Sequence, residues 1–177
     1  MDDELEAYRL GRTYAVMPIP MDDSACRAVA AGPVTFLVED RHLDDEAIVA
    51  SAEAQGRREE IDEPSGVDDG GPSLHVVGTA DGREHLRFDC FDQHPHYHYI
   101  RVERRENVVV RIDTHAEGDP RTWALDRVRR RLPEMLEHAG ATGLADAVRA
   151  SASEVAAAVD YVADLMAPPW PGGRPDR

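Results

Sequence analysis

Apolar and polar residues alternate through the middle of the chain, from residue 73 to residue 114. Leu86, Phe88 and Cys90 alternate with Arg87 and Asp89, which is the two-residue period of a strand with one apolar face and one wet face. The Asp-Gly pair at 81–82 favours the tight turn of a hairpin. Together with an apolar run near residue 36, this pattern predicts four to five strands, over residues 34–38, 74–77, 84–91, 96–103 and 108–114.

The period changes to about 3.6 residues after Gly118, which predicts helices. Asp119 is a good N-cap and Pro120 suits the first helical position, whereas Gly140 is expected to end this helix. A second helix is predicted over residues 144–166. Each helix carries an apolar stripe that needs a surface to cover, so we predict an α+β fold: an antiparallel β-meander of four to five strands packed against two C-terminal helices.

The sequence pattern divides the chain into three segments. Residues 1–31 combine a weak helical pattern with two prolines and are expected to be a poorly ordered N-terminal segment. Residues 32–167 are expected to form a single α+β domain, and residues 168–177, rich in proline and glycine, a disordered tail. Inside the domain, residues 43–60 predict a marginal helix capped by an aspartate, and residues 63–72 have the composition of a loop.

Composition argues against several classes of protein. All 20 basic residues are arginine, which together with abundant alanine, glycine, aspartate and valine suggests a bacterial genome rich in GC. The net charge of −15 disfavours nucleic-acid binding, and no apolar run is long enough to cross a membrane. Two cysteines give no disulfide framework and the N-terminus lacks a signal-peptide pattern, so we expect a cytoplasmic protein.

Six of the eight histidines fall in or beside the predicted meander. His96 and His98 share one face of their strand, and Asp113 and His115 share one face of the next. If the turn is centred between residues 105 and 106, the two pairs lie opposite each other, close enough for their side chains to meet on one ion. The ion would be zinc, iron, nickel or manganese. The candidate metal ligands are therefore His96, His98, Asp113 and His115.

Other interpretations of the histidine-rich strand stay open. In one interpretation, the strand binds no metal: Tyr97 and Tyr99 pack against the helices, and the histidines face water. In another, the histidines line a metal-free pocket for a small molecule. A one-residue change in the turn would also move the histidines to the side of the sheet away from the other two candidates. Asp89 and Asp92 are candidates for orienting the histidines, or are plain surface carboxylates. Cys90 is expected to be a buried, inert thiol.

Two resemblances carry family expectations. His96-Tyr97-His98 with Glu103 downstream resembles the first metal motif of the cupins, which implies a divalent metal on these two histidines and the glutamate. Cys90 and Val110 stand where that motif has glycines, and the chain has no second cupin motif. Separately, LRFDCF, PHYHY and RLPEMLEHAG are similar to a family of small bacterial proteins described only as an uncharacterised domain of unknown function. That resemblance spans roughly residues 73–145 and implies no activity and no site residues.

Functions from different classes follow from these observations. The favoured interpretation is a non-catalytic accessory or interaction protein, whose helical layer and uneven charge serve a protein partner. Residues 39–69 hold 12 acids against 3 arginines, and residues 101–131 hold 9 arginines against 6 acids. The alternatives are a divalent-metal-binding protein or small metalloenzyme that uses the His96/His98 face, and a pH-responsive binding module. The sequence decides neither between enzyme and binding protein nor the oligomeric state.

Overall fold

Seven strands form one antiparallel sheet in the computed structural model, which describes residues 9–61 and 66–167. Their order across the sheet is β1-β7-β6-β5-β4-β3-β2. The expected meander of four to five strands is therefore too short, because β2 extends it at one edge and β1 at the other. The strands are β1 (Arg12–Tyr14), β2 (Arg27–Ala31), β3 (Val34–Asp44), β4 (Asp68–Gly78), β5 (Glu84–Asp89), β6 (His96–Arg101) and β7 (Glu106–Arg111).

Five helices complete the α+β fold over the described residues. The side chain of Asp44 caps α1 by accepting the N–H of Ala47, and Asp119 caps α3 with Pro120 in the first turn, as the sequence predicts. Gly140, with φ of +87°, follows the end of α3. The helices are α1 (Asp45–Ala54), α2 (Thr114–Glu117), α3 (Pro120–His138), α4 (Thr142–Ala150) and α5 (Ala152–Leu165).

One face of the sheet is apolar and packs against α3, α4 and α5. Phe88 and Tyr97 stack in the centre of this face, with ring centroids 6.0 Å apart, and Trp123 of α3 lies 5.2 Å from Tyr97. Burial of aliphatic and aromatic area is the main source of stability here. The largest fully buried side chains that the sheet places on this face are Val34, Phe36, Val38, Leu74, Val76, Leu86 and Phe88.

The opposite face is buried too, although its side chains are polar and charged. It is covered by α1 and by residues 16–20, which we call the strap. The strap is held through its backbone: Asn107 donates to the carbonyl of Val16, Gln55 exchanges two hydrogen bonds with Met17, and Arg87 donates to the carbonyl of Ile19. The buried polar residues of this face include Glu39, Arg41, Ser73, His75, Arg87, Asp89, His98 and Asn107. The expectation of a wet face is therefore wrong.

Several predicted boundaries differ from the structure. Residues 68–72, expected in a loop, belong to β4, and the long second helix is divided at Ser151 into α4 and α5. Residues 12–31, for which little regular structure was expected, contain β1 and β2. The predicted domain limits stay predictions, and the tail at 168–177 lies outside the described residues.

The predicted register between β6 and β7 is wrong by four residues. A turn centred between 105 and 106 would pair Glu103 with Val108, whereas the structure pairs Arg101 with Glu106 and His96 with Arg111. The reason is a 3₁₀ turn at Val102–Arg104, followed by Arg105 in the left-handed conformation with φ of +51°. A shift of four residues is even, so it preserves which residues share a face.

None of the helices in the described part of the chain is both long and apolar enough to cross a membrane.

Candidate functional site

Two rows of side chains cross the polar face of the sheet at right angles to the strands. One row pairs Ser73 with Asp89 and Asp89 with His96. The next row pairs Arg87 with His98 and His98 with Val109. Directly opposed side chains have Cβ atoms about 4.5–5.5 Å apart, so the carboxylate of Asp89 lies within reach of both histidines.

Asp89, His96 and His98 converge on one point. The Oδ2 atom of Asp89 is 3.1 Å from Nε2 of His98 and 3.4 Å from Nε2 of His96. The two imidazole rings meet edge to face, with centroids 4.9 Å apart. All three side chains are largely or fully buried, and the other carboxylate oxygen of Asp89 accepts a hydrogen bond from Ser73. Two imidazole nitrogens and a carboxylate oxygen thus share a single small volume.

The remaining ring nitrogens of the histidines each face a hydrogen-bond acceptor. Nδ1 of His96 is 2.7 Å from the carbonyl oxygen of His94, and Nδ1 of His98 is 2.7 Å from Oδ1 of Asn107. The amide of Asn107 cannot be reversed without loss, because its Nδ2 donates to the carbonyl of Val16 at 3.2 Å. Both Nδ1 atoms therefore carry protons, and both Nε2 atoms point toward the carboxylate of Asp89.

The loop that supplies the carbonyl of His94 is itself anchored. The carboxylate of Asp69, which is 2% exposed, accepts the backbone N–H groups of Gln93 and His94 at 2.8–3.2 Å. Asp69 belongs to β4, two strands away from β6, so the sheet itself fixes the loop. The orientation of the His96 ring is a consequence of this anchoring.

The electrostatics of the three groups differ. Burial raises the pKa of Asp89, but hydrogen bonds and charge from His96 and His98 outweigh burial and hold it well below its usual range. Burial lowers the pKa of His96, but the hydrogen bond to Asp89 outweighs it and the net pKa is raised. In His98 burial dominates and the pKa is lowered, which favours the neutral imidazole.

His96 and His98 lie at the floor of a cavity of about 290 Å³ between the sheet and its cover. The strap forms one wall, α1 forms another, and Val109 of β7 lies beside the histidines. Asp89 is not part of the lining, so it lies behind the two rings. The lining residues are Tyr14, Val16, Met17, Pro18, Ile19, Leu43, Asp45, Ile48, Val49, Ser51, Ile61, Val67, His96, His98, Asn107 and Val109.

Two of the four predicted ligands lie apart from this cluster. The corrected register places Arg111 opposite His96, so Asp113 and His115 lie beyond the end of β7. Asp113 is exposed and caps α2 by accepting the N–H of His115, which is itself exposed within that short helix. The structure brings His96 and His98 together, and metal binding by any of the four residues stays a prediction.

Glu103, the glutamate of the cupin resemblance, also lies elsewhere. Its side chain is 83% exposed and pairs with Arg83 at 3.0 Å. The acidic group beside the histidines is instead Asp89, which the sequence suggested only as a residue that orients them. Asn107 was missed altogether, because a single asparagine at the edge of a predicted turn gives no signal of its own.

A second group of possible metal donors, Cys26, Glu39 and His75, lies farther along the same face. Burial, followed by the charge of Glu39, raises the pKa of the Cys26 thiol to about 11, so this side chain is protonated near pH 7. One ring nitrogen of His75 lies 2.6 Å from Oε1 of Glu84 and the other lies 3.0 Å from Oε1 of Glu39, and Arg41 also binds Glu39. Glu39 is already paired with His75 and Arg41, so a metal ion at this group would have to displace both side chains.

Tyr97, Tyr99 and Cys90 lie where the sequence predicts them. Both tyrosines pack on the helical side, Tyr99 with its ring 4.5 Å from the ring of His138. Cys90 is 3% exposed, and burial raises its pKa well above the usual range. The companion expectation, that the histidines face water, is wrong for His98, which is 6% exposed.

Comparison with known proteins places this chain in a family. Residues 28–166 match the family model described as "Domain of unknown function (DUF7700)". No curated protein matches the chain, and no solved structure matches it. The match covers more than three quarters of the chain, including strands β3 to β7 and the helical layer, and confirms the expected resemblance to an uncharacterised domain family. The chain belongs to the DUF7700 domain family.

Proposed function

We propose that the protein binds one divalent transition-metal ion through Asp89, His96 and His98, at the floor of the cavity beneath the strap. The observation that carries the proposal is the convergence of Nε2 of His96, Nε2 of His98 and Oδ2 of Asp89, which lie within 4.8 Å of one another. The two ring nitrogens of His98 face two acceptors, Oδ1 of Asn107 and Oδ2 of Asp89. An imidazole with one proton satisfies only one of them, so the contact with Asp89 calls for a second ring proton or a metal ion.

A metal ion at Nε2 of His98 meets this need. The ion replaces the second proton of His98, and the same ion meets the lone pair of His96 and the carboxylate of Asp89. Metal-binding histidines usually donate their other ring nitrogen to a carbonyl or carboxylate, which fixes the tautomer. His94 and Asn107 supply such acceptors here.

The spacing of the donor atoms also fits. Ligands at about 2.0–2.1 Å from a tetrahedral zinc ion lie about 3.3 Å from each other. The two measured separations from Oδ2 of Asp89, 3.1 Å and 3.4 Å, lie on either side of that value. Imidazole nitrogen with carboxylate oxygen suits zinc, iron, nickel or manganese.

Three protein ligands leave a coordination position open. Structural zinc sites usually have four protein ligands, whereas sites that bind a substrate or water have three. Both histidines line the cavity, so the open position faces it. This arrangement favours a metal that meets a small molecule over a metal that only holds the fold together.

Zinc titration of untagged, chelator-stripped protein against a chromophoric chelator tests the proposal. We expect one equivalent to bind, and we expect Asp89→Asn, which preserves volume, to weaken binding by a hundredfold or more. His115→Asn is the matched control, since it removes a histidine outside the cluster and should leave the affinity unchanged. Wild-type protein that takes up no zinc, or equal affinity for the two variants, would overturn the proposal.

Three other expectations from the sequence stay predictions. A protein partner on the helical layer and a cytoplasmic location are two of them. A pH-responsive module, the third, is a second use of the same histidines, and it requires that they titrate without a metal. The zinc titration separates the metal site from the pH-responsive module.

A further inference from the structure

We propose that the cavity above Asp89, His96 and His98 binds a small, largely apolar monoanion, such as a monocarboxylate, with its charged head on the metal. This inference rests on the metal site proposed above and adds the class of ligand. It follows from the walls of the cavity, from the polar groups that are already engaged, from the charge at the floor and from the size of the space.

The walls of the cavity are apolar on both sides of the histidines. The strap contributes Val16, Met17 and Ile19, and α1 contributes Ile48 and Val49. Apolar walls of this kind stabilise a ligand through the area they remove from water. They offer no hydrogen bonds to a polyhydroxylated ligand such as a sugar.

Most polar side chains of the lining are already engaged. Asp45 accepts the backbone N–H groups of Gly66 at 2.7 Å and Val67 at 3.2 Å. Ser51 accepts a hydrogen bond from the side chain of Gln55, and Asn107 is bound at both ends of its amide. The floor, where His96 and His98 converge, is therefore the position that suits an anionic head group.

Charge selects the head group. Two neutral imidazoles, one carboxylate and a divalent ion leave one net positive charge at the floor. A buried charge without a partner is costly in an apolar cavity. A monoanion neutralises it, whereas a neutral alcohol does not and a dianion overcompensates.

Size limits the rest of the molecule. The cavity of about 290 Å³ is at the lower end of ligand pockets. A body the size of hexanoate or benzoate fits this space.

The test uses cobalt(II)-loaded protein, because the visible spectrum of cobalt changes when a ligand joins its coordination shell. Hexanoate is expected to change the spectrum and to bind at least tenfold more tightly than acetate, which has the same head and almost no apolar body. It is also expected to bind at least tenfold more tightly than hexanol, which has the same chain and no charge. The comparison with acetate tests whether the apolar walls bind the chain of the ligand, and the comparison with hexanol tests whether the positive charge at the floor binds its head group.

A pair of variants on α1 locates the site. Val49→Trp fills the cavity and should weaken hexanoate binding tenfold or more while cobalt affinity stays the same. Ala50→Trp adds the same side chain at an exposed position of the same helix and should change neither affinity.

The outcomes separate the two proposals. Cobalt that binds without any spectral response to hexanoate overturns the ligand inference and leaves the metal site intact. The ligand inference is also overturned if acetate or hexanol equals hexanoate, or if Ala50→Trp weakens binding as much as Val49→Trp. Protein that binds no cobalt overturns the metal site, and the ligand inference falls with it.

Discussion

The sheet has two buried faces, and they are built in opposite ways. Beneath the helices, Phe36, Leu86 and Phe88 are fully buried among other apolar side chains. Beneath the strap, His75 and Arg87 are just as deeply buried among carboxylates and backbone carbonyls. Apolar packing is non-directional, whereas each buried polar atom needs its own partner. On the polar face the placement of each polar atom is therefore informative, and the convergence of Asp89, His96 and His98 is such a case.

The largest effect is expected from truncation on the apolar face. Phe88→Ala removes a fully buried ring that contacts Tyr97 and Trp123, and leaves a cavity that the sheet cannot close. We expect a loss of about 3–5 kcal/mol in the free energy of unfolding, measured by urea denaturation. Tyr161→Ala is the control, because this aromatic residue of α5 is 67% exposed and should cost no more than about 0.5 kcal/mol.

A comparable loss in the free energy of unfolding is expected on the polar face, but a second substitution should recover part of it. Arg87 donates two hydrogen bonds of 2.8 Å to Glu84 and one to the carbonyl of Ile19. Arg87→Met leaves the largely buried Glu84 with His75 but without its guanidinium partner, and breaking a buried pair in this way costs about 3–5 kcal/mol. Adding Glu84→Gln removes the stranded charge and should recover at least about 1 kcal/mol in the same urea measurement. A double variant less stable than Arg87→Met would mean that the stranded charge is not the source of the loss.

A smaller effect is expected behind the proposed metal ligands. Asn107 accepts the Nδ1 proton of His98 at 2.7 Å. Asn107→Leu has nearly the same volume and removes that acceptor, so His98 loses the group that sets its tautomer. Zinc affinity should fall by about 10–100-fold, which is typical when such an orienting partner is removed. A fall in thermal stability with unchanged zinc affinity would instead assign Asn107 to the strap alone.

The smallest effect concerns pH. Burial lowers the pKa of His75, but hydrogen bonds to Glu39 and Glu84 outweigh burial and raise it; Arg41 and Arg87 are the cations nearby. The stabilisation by His75 is therefore complete below the unfolded pKa near 6.5 and is lost as pH rises through the higher folded pKa. The stability difference between wild type and His75→Gln should shrink from pH 6 to pH 9. His96 is present in both proteins, so its own titration largely cancels in the difference.

A difference that stays constant or grows over this range would mean that His75 is neutral in the folded protein. Unfolding by urea at a series of pH values, with both proteins in the same buffers, measures this difference.

The sequence predicts the faces of the sheet well, because strand alternation is a local property. Leu86 and Phe88 lie on one side and Arg87 and Asp89 on the other, as their spacing indicates. The cover of the polar face was not predictable in the same way. The strap has no periodic pattern, and its backbone carbonyls are held by Asn107 and other residues far along the chain.

For a similar reason, the sequence places two of the four candidate metal ligands correctly and misplaces the other two. His96 and His98 follow from the two-residue period, and the register shift leaves them on the expected face. Asp113 and His115 depended on the length of one turn, and that turn contains Arg105 in a left-handed conformation that non-glycine residues seldom adopt. Asp89 is brought to the histidines by the pairing of β5 with β6. The alternation of residues predicts which face each side chain occupies, but it does not predict the register between two strands.

X-ray absorption at the zinc edge, with untagged protein loaded with one equivalent of zinc, identifies the ligands of the metal without reference to any activity. We expect two imidazole nitrogens and at least one further oxygen ligand at about 2.0–2.1 Å, with no sulfur. A sulfur ligand near 2.3 Å would place the metal at Cys26 with Glu39 and His75. A shell without imidazole, or no bound zinc at all, would contradict the assignment of Asp89, His96 and His98 as a metal site.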